Sequence, residues 1–283
     1  MSDMIKTIGR SIIQHGPTND RVYLMKLHAD DATDFAEYLD RLACSRGYSK
    51  VFAKVPRWSV ARFVAAGYEV EASIPDFFPD GVAACFMGKY FTDARKLEPQ
   101  PQLVQEVLAV ARAQEPSYRV KELPGDFTMR MAREEDTVRM AEVYREVFAT
   151  YPFPIHEPGF LQAAMHGGTV FFGIWKGERI VALASAEIDS SSRSAEMTDF
   201  ATLPEYRGHG FALHLLQQVQ KIAQSRGVRL FFTIARAYSF GMNVTFARSG
   251  YRYGGTLTNN TNISGNLESM NVWYKTVPDQ VAP

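Results

Sequence analysis

Residues 195–212, AEMTDFATLPEYRGHGFA, carry the reading on which the fold rests. The run opens like a strand, with Met197, Phe200 and Ala201 among β-tolerant residues, and Pro204 breaks it. Arg207-Gly208-His209-Gly210-Phe211-Ala212 then leads into a helix marked by Ala212, Leu215, Leu216, Val219, Ile222 and Ala223, which Gly227 closes after Arg226. A strand, a glycine turn and a helix start together make a site for a phosphate-bearing ligand. The first turn of a helix offers unpaired N–H groups and the positive end of its dipole, and glycine admits the ligand close to the backbone. No Lys-Ser/Thr follows the glycines, as a P-loop would need, and the glycine spacing is not that of a dinucleotide fold.

Size and composition narrow the classes. The 283 residues suffice for one large domain or two ordinary ones, and 46% apolar with 22% charged residues is the balance of a globular protein. The 31 basic residues match the 31 acidic ones, so no global field favours nucleic acid. Cys44 and Cys85 stand apart without metal-ligand spacing, as in a reducing cytoplasm. No stretch approaches a membrane span. The expectation is a cytoplasmic protein with no metal, nucleic-acid or membrane partner, free to form a homodimer.

Along the chain, two short strands are expected from Ile5 to Leu27 around a turn at 15–20, a helix from Asp31 to Cys44, a strand from Val51 to Val55, a helix from Trp58 to Ala66, and strands from Tyr68 to Ile74 and Ala83 to Phe91. The other end of the chain repeats this order. Ser45-Arg46-Gly47 matches Ser225-Arg226-Gly227, Phe52 matches Phe232, and Phe63-x-x-x-Gly67-Tyr68 matches Phe246-x-x-x-Gly250-Tyr251. These matches suggest an internal repeat whose first copy lacks the glycine turn; chance recurrence of Gly-Tyr pairs is the alternative. Prolines 99, 101, 116 and 124 punctuate a joint with one helix, Leu103 to Ala113. After it come a strand at Phe127, a helix that Asp136 is placed to cap, the aromatic loop Tyr151-Pro152-Phe153-Pro154, and a hairpin over Thr169–Ile188. The polar run from Thr258 to Gly265 reads as a loop, either solvated or supplying hydrogen bonds to a small polar substrate.

Arg207-x-x-Gly210-x-Ala212 after a strand resembles the acetyl-CoA signature of the GNAT N-acetyltransferases. The resemblance implies a mixed α/β fold: a mostly antiparallel central sheet flanked by helices over 125–278, preceded by a partial GNAT-like domain at 1–97 and a linker at 98–124. It implies acetyl-CoA as cosubstrate, held by Phe200, Ala201, Thr202, Arg207, Gly208, His209, Gly210, Phe211, Ala212 and Asn243, with the oxyanion met by a backbone N–H around Phe200–Thr202. Glu196 and Asp199 are the candidate bases, with Glu196 preferred because Ala195-Glu196-Met197 resembles the family's basic glutamate. Alternation puts the two on opposite faces of an ideal strand, so a bulge is needed to bring both to one amine. The family's usual acid position holds Phe246, which has no proton to give. Tyr238, with Tyr253 and Tyr274 behind it, is the expected substitute, unless water serves or the thiolate leaves unassisted.

Six passages are further similar to the β-lysine N-acetyltransferase family: 23–27, 52–56, 195–206, 233–237, 254–262 and 268–275. That resemblance implies Nε-acetylation of a small amine, β-lysine, to give a compatible solute. Tyr151, Phe153, Arg236, Asn259, Asn260 and Asn262 are the candidate substrate contacts, with Arg236 on a carboxylate and Glu187, Asp199 or Glu268 on an ammonium. An acetyltransferase acting on protein amines, or an acyl-CoA sensor without activity, is the rival reading.

Overall fold

The computed structural model describes residues 3–117 and 122–278. Strands β1 (Met4–Ile8), β2 (Ser11–Gly16) and β3 (Arg21–Lys26) are followed by helix α1 (Phe35–Arg46), β4 (Lys50–Pro56), α2 (Val60–Ala65), β5 (Glu69–Ile74) and β6 (Ala84–Tyr90). Short α3 (Asp93–Lys96) and α4 (Pro101–Arg112) lead to β7 (Phe127–Met131), α5 (Thr137–Val147), α6 (Pro158–His166), β8 (Val170–Lys176) and β9 (Arg179–Asp189). Then come β10 (Ser194–Thr202), α7 (Phe211–Ser225), β11 (Leu230–Arg236), α8 (Phe240–Arg248), β12 (Arg252–Ile263) and β13 (Asn266–Thr276). The sequence reading lacked α6 and gave the first strands as two where three form. Asp136 does not cap α5 with its side chain; its carboxylate accepts from both Arg130 Nη atoms (2.7 and 2.9 Å) and from the Arg133 N–H (2.8 Å).

These strands form one sheet in the order β1-β2-β3-β4-β6-β5-β12-β13-β11-β10-β9-β8-β7. Outward from the β5–β12 seam the two sides match. Each runs through two antiparallel pairings, one parallel pair (β4 with β3, β11 with β10) and an antiparallel return. The sequence repeat maps onto this symmetry. Phe52 and Phe232 both sit in the parallel ladders, opposite Tyr23 and Glu196 respectively. Phe63–Tyr68 and Phe246–Tyr251 make edge-on ring contacts of the same 5.1 Å length.

Apolar side chains gather in three cores. One lies behind the first half under α1 and α2, one behind the second half under α7 and α8, and the third joins the halves through Tyr23, Phe52, Phe77, Phe148, Phe232 and Met270.

At the seam Gly255 pairs with Ala72 at φ 144°, and a Cβ there would lie 2.2 Å from the Glu71 carbonyl oxygen. Only glycine allows this approach.

The expected loop at Thr258–Gly265 is instead mostly strand. β12 continues to Ile263 through a bulge between Leu257 and Thr261, with Asn259 left-handed (φ 43°). Bulging takes carbonyl groups out of the ladder, and buried carbonyls need donors. Cations of the first half supply them: Lys50 Nζ donates to Thr258 O (2.7 Å), Arg95 Nε to Asn259 O (2.8 Å) and Arg21 Nη1 to Asn260 O. Lys50 is neutralised by Glu71 at 3.0 Å, both side chains being buried. Polar composition suggested a solvated or substrate-bonding loop, but the carbonyls of Thr258, Asn259 and Asn260 are all met by donors from the first half.

Candidate active site

The faces of β3–β4 and of β9–β11 close on a cavity of about 500 Å³. Period-2 alternation on the first side presents Arg21, Tyr23 and Met25 from β3, with Phe52, Lys54 and Pro56 from β4. The opposite wall carries Glu187, Glu196, Asp199 and Arg236. Tyr151 and Phe153 form a third side, in a loop tied down by Gln14 Nε2 to Pro152 O (2.8 Å) and by the Ser264 N–H to Thr150 O (3.0 Å). Each of the six passages singled out in the sequence contributes to this wall.

β10 has the bulge that two carboxylates at 196 and 199 require. Its register against β9 shifts between Thr198 and Ala201, and Asp199 is left-handed at φ 54°. The shift reverses the alternation, so Glu196 and Asp199 both line the cavity. Their surroundings differ. Asp199 is buried and accepts from Tyr151 Oη (2.7 Å) and Ser185 Oγ (2.6 Å). Among the described residues Glu196 has no hydrogen-bond partner, and Glu187 stands directly across from it on β9. Burial first, and then Asp199, push the Glu196 carboxyl up to about 7, against the opposing pull of Lys54. Glu187 is also raised, by burial and then by Glu196, although water in the cavity reaches it. In the first half the cross-strand pair at these positions is Gln14 and Tyr23, which has no carboxylate.

Parallel pairing of β10 with β11 runs from Ser194↔Leu230 to Glu196↔Phe232. Beyond it Phe200, Ala235, Met242 and Phe246 line the cavity. Phe200 falls inside the bulge and lines the cavity, whereas Ala201 and Thr202 rejoin the β9 register.

Past Thr202 the chain turns into α7. Gly208 (φ 87°) and the N-cap residue Gly210 (φ 76°) are left-handed, and no side chain caps the first turn. Residues 207–210 are exposed, and no acidic residue occupies that turn, so the N–H groups there suit a pyrophosphate. Phe211 is buried edge-on against Phe127 (4.9 Å), which anchors the helix start and leaves only its backbone for a ligand. His209 Nδ1 lies 3.0 Å from Tyr206 O, and Arg207 Nε donates to Thr202 O at 3.4 Å. A β-branched side chain in the left-handed region costs about 1–2 kcal/mol. Gly210→Val is therefore expected to raise KM for acetyl-CoA about tenfold, read by initial-rate kinetics.

Several expected site residues have other duties. Tyr238 lies outside the cavity and donates to Glu98 Oε1 at 2.5 Å. Tyr253 bonds Thr256, and neither it nor Tyr274 lines the cavity, so the phenols facing it are Tyr23 and Tyr151. Asn243 cannot hold pantetheine amides. It is fully buried, donating to Arg236 O and Ser239 O and accepting from Asn271 Nδ2 (2.9 Å) and Trp273 Nε1 (2.8 Å). Asn259 donates to Arg95 O and Leu97 O, and Asn262 to Thr18 O, so both fasten the halves together instead of facing a substrate. Asn260 does reach the cavity wall. Arg236 reaches it too, but its guanidinium is spent bidentately on Glu268 (2.9 and 2.6 Å). Lys54, Tyr23 and Arg21 went unread. Their alternation was visible, but nothing local says what a strand face will meet.

A parted parallel pair beside an uncapped helix start, with a raised carboxyl at the parting, is the arrangement of an acyl-CoA-dependent acyltransferase. The pattern of the acetyltransferase (GNAT) family matches residues 137–243. Beta-lysine N(6)-acetyltransferase of Methanococcus maripaludis is 38% identical over 273 residues, 96% of this chain and 98% of that protein. A second beta-lysine N(6)-acetyltransferase, from Methanosarcina mazei, is 37% identical over 153 residues, 54% of this chain and 56% of that protein. Among solved structures, the ribosomal-protein-S18-alanine N-acetyltransferase of Escherichia coli aligns with a TM-score of 0.47 at 13% identity, covering 56% of this chain and 99% of that one. The chain belongs to the GNAT acetyltransferase family and is an acetyl-CoA-dependent N-acetyltransferase.

Proposed function

We propose that the protein acetylates the ε-amine of β-lysine, giving Nε-acetyl-β-lysine, by direct transfer from acetyl-CoA in a ternary complex. The observation that carries this reading is the trio Glu187, Glu196 and Asp199 in one walled cavity at the parting of β10 and β11. The identity to the two beta-lysine N(6)-acetyltransferases supports the choice of amine. An alkylammonium with a pKa of roughly 10.4 must lose a proton before it can attack. Glu196 takes that proton, the nitrogen bonds to the thioester carbonyl carbon, Phe200 N–H meets the developing oxyanion, and the C–S bond breaks as the second proton of that nitrogen passes to the departing sulfur, releasing CoA thiol. A second carboxylate, Glu187 or Asp199, holds the other ammonium. Tyr151, Phe153 and Asn260 shape the pocket, and the turn from Arg207 to Ala212 holds the pyrophosphate.

On this reading residues 125–278 are the catalytic domain, 98–124 the joint, and 1–97 a copy without a phosphate site that supplies the far wall. The product would be a neutral compatible solute made in the cytoplasm, by the chain alone or as a homodimer. Among the described residues no helix is long and apolar enough to cross a membrane.

CoA-thiol release measured in parallel with β-lysine, α-lysine, spermidine and a lysine peptide tests the substrate. β-Lysine should show the highest kcat/KM; good turnover of the peptide with none of β-lysine would overturn the proposal. The base must be ionised to act, so kcat/KM should climb with pH as a carboxyl pushed up to about 7 loses its proton. An acid limb near the ordinary glutamate range, about 4.3, would count against Glu196.

A further inference from the structure

Lys54 reaches the cavity from β4, its Nζ 5.5 Å from the ring centroids of both Phe77 and Phe232. Among the described residues no carboxylate lies within ion-pair distance of it, although Glu187, Asp189 and Glu196 line the same cavity and favour its charge. Burial acts the other way and is the larger influence. Of the neighbouring cations, Arg236 is paired with Glu268 and Lys26 stands 4.0 Å from Asp189, while Arg21 gives its Nη1 to two neutral acceptors, Asn260 O and Thr261 Oγ1, and its buried Nε has no partner among the described residues.

The fold does not require a lysine there. Lys54 stands two residues after Phe52 of the parallel ladder, and the matching position after Phe232 is Ile234. A half-buried ammonium with no carboxylate in ion-pair range is costly unless an anion arrives. The facing carboxylates meanwhile repel any acceptor that brings a carboxylate of its own, unless a cation receives it.

We propose that Lys54 anchors the carboxylate of the acceptor, so that the N-terminal half selects amino acids over simple diamines. This deepens the β-lysine reading and rests on it only for the identity of the amino acid.

The test compares kcat and KM for β-lysine with those for 1,4-diaminopentane, the same skeleton without its carboxylate, and for α-lysine with those for cadaverine. In Lys54→Met the preference (kcat/KM ratio) for each amino acid over its diamine should fall by about 10- to 100-fold, the worth of a charged hydrogen bond. The loss should fall on the KM of the amino acid, and Lys54→Arg should restore much of the preference.

Were Lys54 only a neutraliser of Glu187 and Glu196, its loss would lower both members of each pair alike and shift their acid limbs upward together; that result would overturn the proposal. So would a wild-type enzyme with no preference for the carboxylate-bearing member. Turnover of α-lysine without turnover of β-lysine would retire β-lysine as the substrate, while the α-lysine–cadaverine pair still judged Lys54.

Discussion

Glu196→Gln is expected to lower kcat by about 100- to 10,000-fold, the usual range for loss of a positioned general base, with KM for acetyl-CoA within about twofold of wild type. The amide has the shape of the carboxylate but cannot take a proton at neutral pH. Asp199 is poorly placed to compensate, since Tyr151 and Ser185 already donate to its two oxygens. Glu187, across the strand pair, is the nearer substitute. Stopped assays from pH 5.5 to 9.5 would separate these roles. Loss of the acid limb near 7 together with rate identifies Glu196 as the base; a limb that persists in the amide variant would move the role to Glu187.

Gly255→Ala is expected to be among the most damaging single substitutions for stability. The added Cβ would lie 2.2 Å from Glu71 O and 2.5 Å from Ala72 Cα, both backbone atoms that cannot swing away. The seam would have to open. Glu71 is also the counter-ion of buried Lys50 and accepts from the Thr258 N–H (2.8 Å), so movement there strands a buried charge. Breaking a buried pair costs about 3–5 kcal/mol, and a comparable loss should appear in urea unfolding. Because the cavity spans both halves, turnover should fall with it. An unchanged midpoint would show that β5 and β12 do not approach as closely as described.

The parts that were legible in the sequence depend on near neighbours in the chain. Arg207-x-x-Gly210-x-Ala212 marks a turn whose two glycines are left-handed in the structure, and a turn is specified by its own residues. Ser45-Arg46-Gly47 and Ser225-Arg226-Gly227 announced a repeat that the sheet then displays as matched pairings. Glu196 and Asp199 were read together with the condition that a bulge intervene, and one does.

The misread residues share a physical cause. Asn243, Asn259 and Asn262 are polar groups with partners far away in the chain, and a polar side chain looks the same in a sequence whether it faces water, a ligand or a buried carbonyl. Tyr238 and Arg236 were read as chemically able, which they are; Glu98 and Glu268 had already engaged them.

Local patterning was thus enough to place most of the helices and strands along the chain, the glycine turn and the carboxylates beside it, because backbone preference and alternation act over a few residues. Which strand faces would meet depended on tertiary packing. Gly255 admits β5, the Thr258–Asn260 carbonyls draw in Lys50, Arg95 and Arg21, and that closure carries Lys54 and Tyr23 to the wall opposite Glu196. Desolvation comes only with the closed cavity, so the raised carboxyl of Glu196 is a property of the assembled fold.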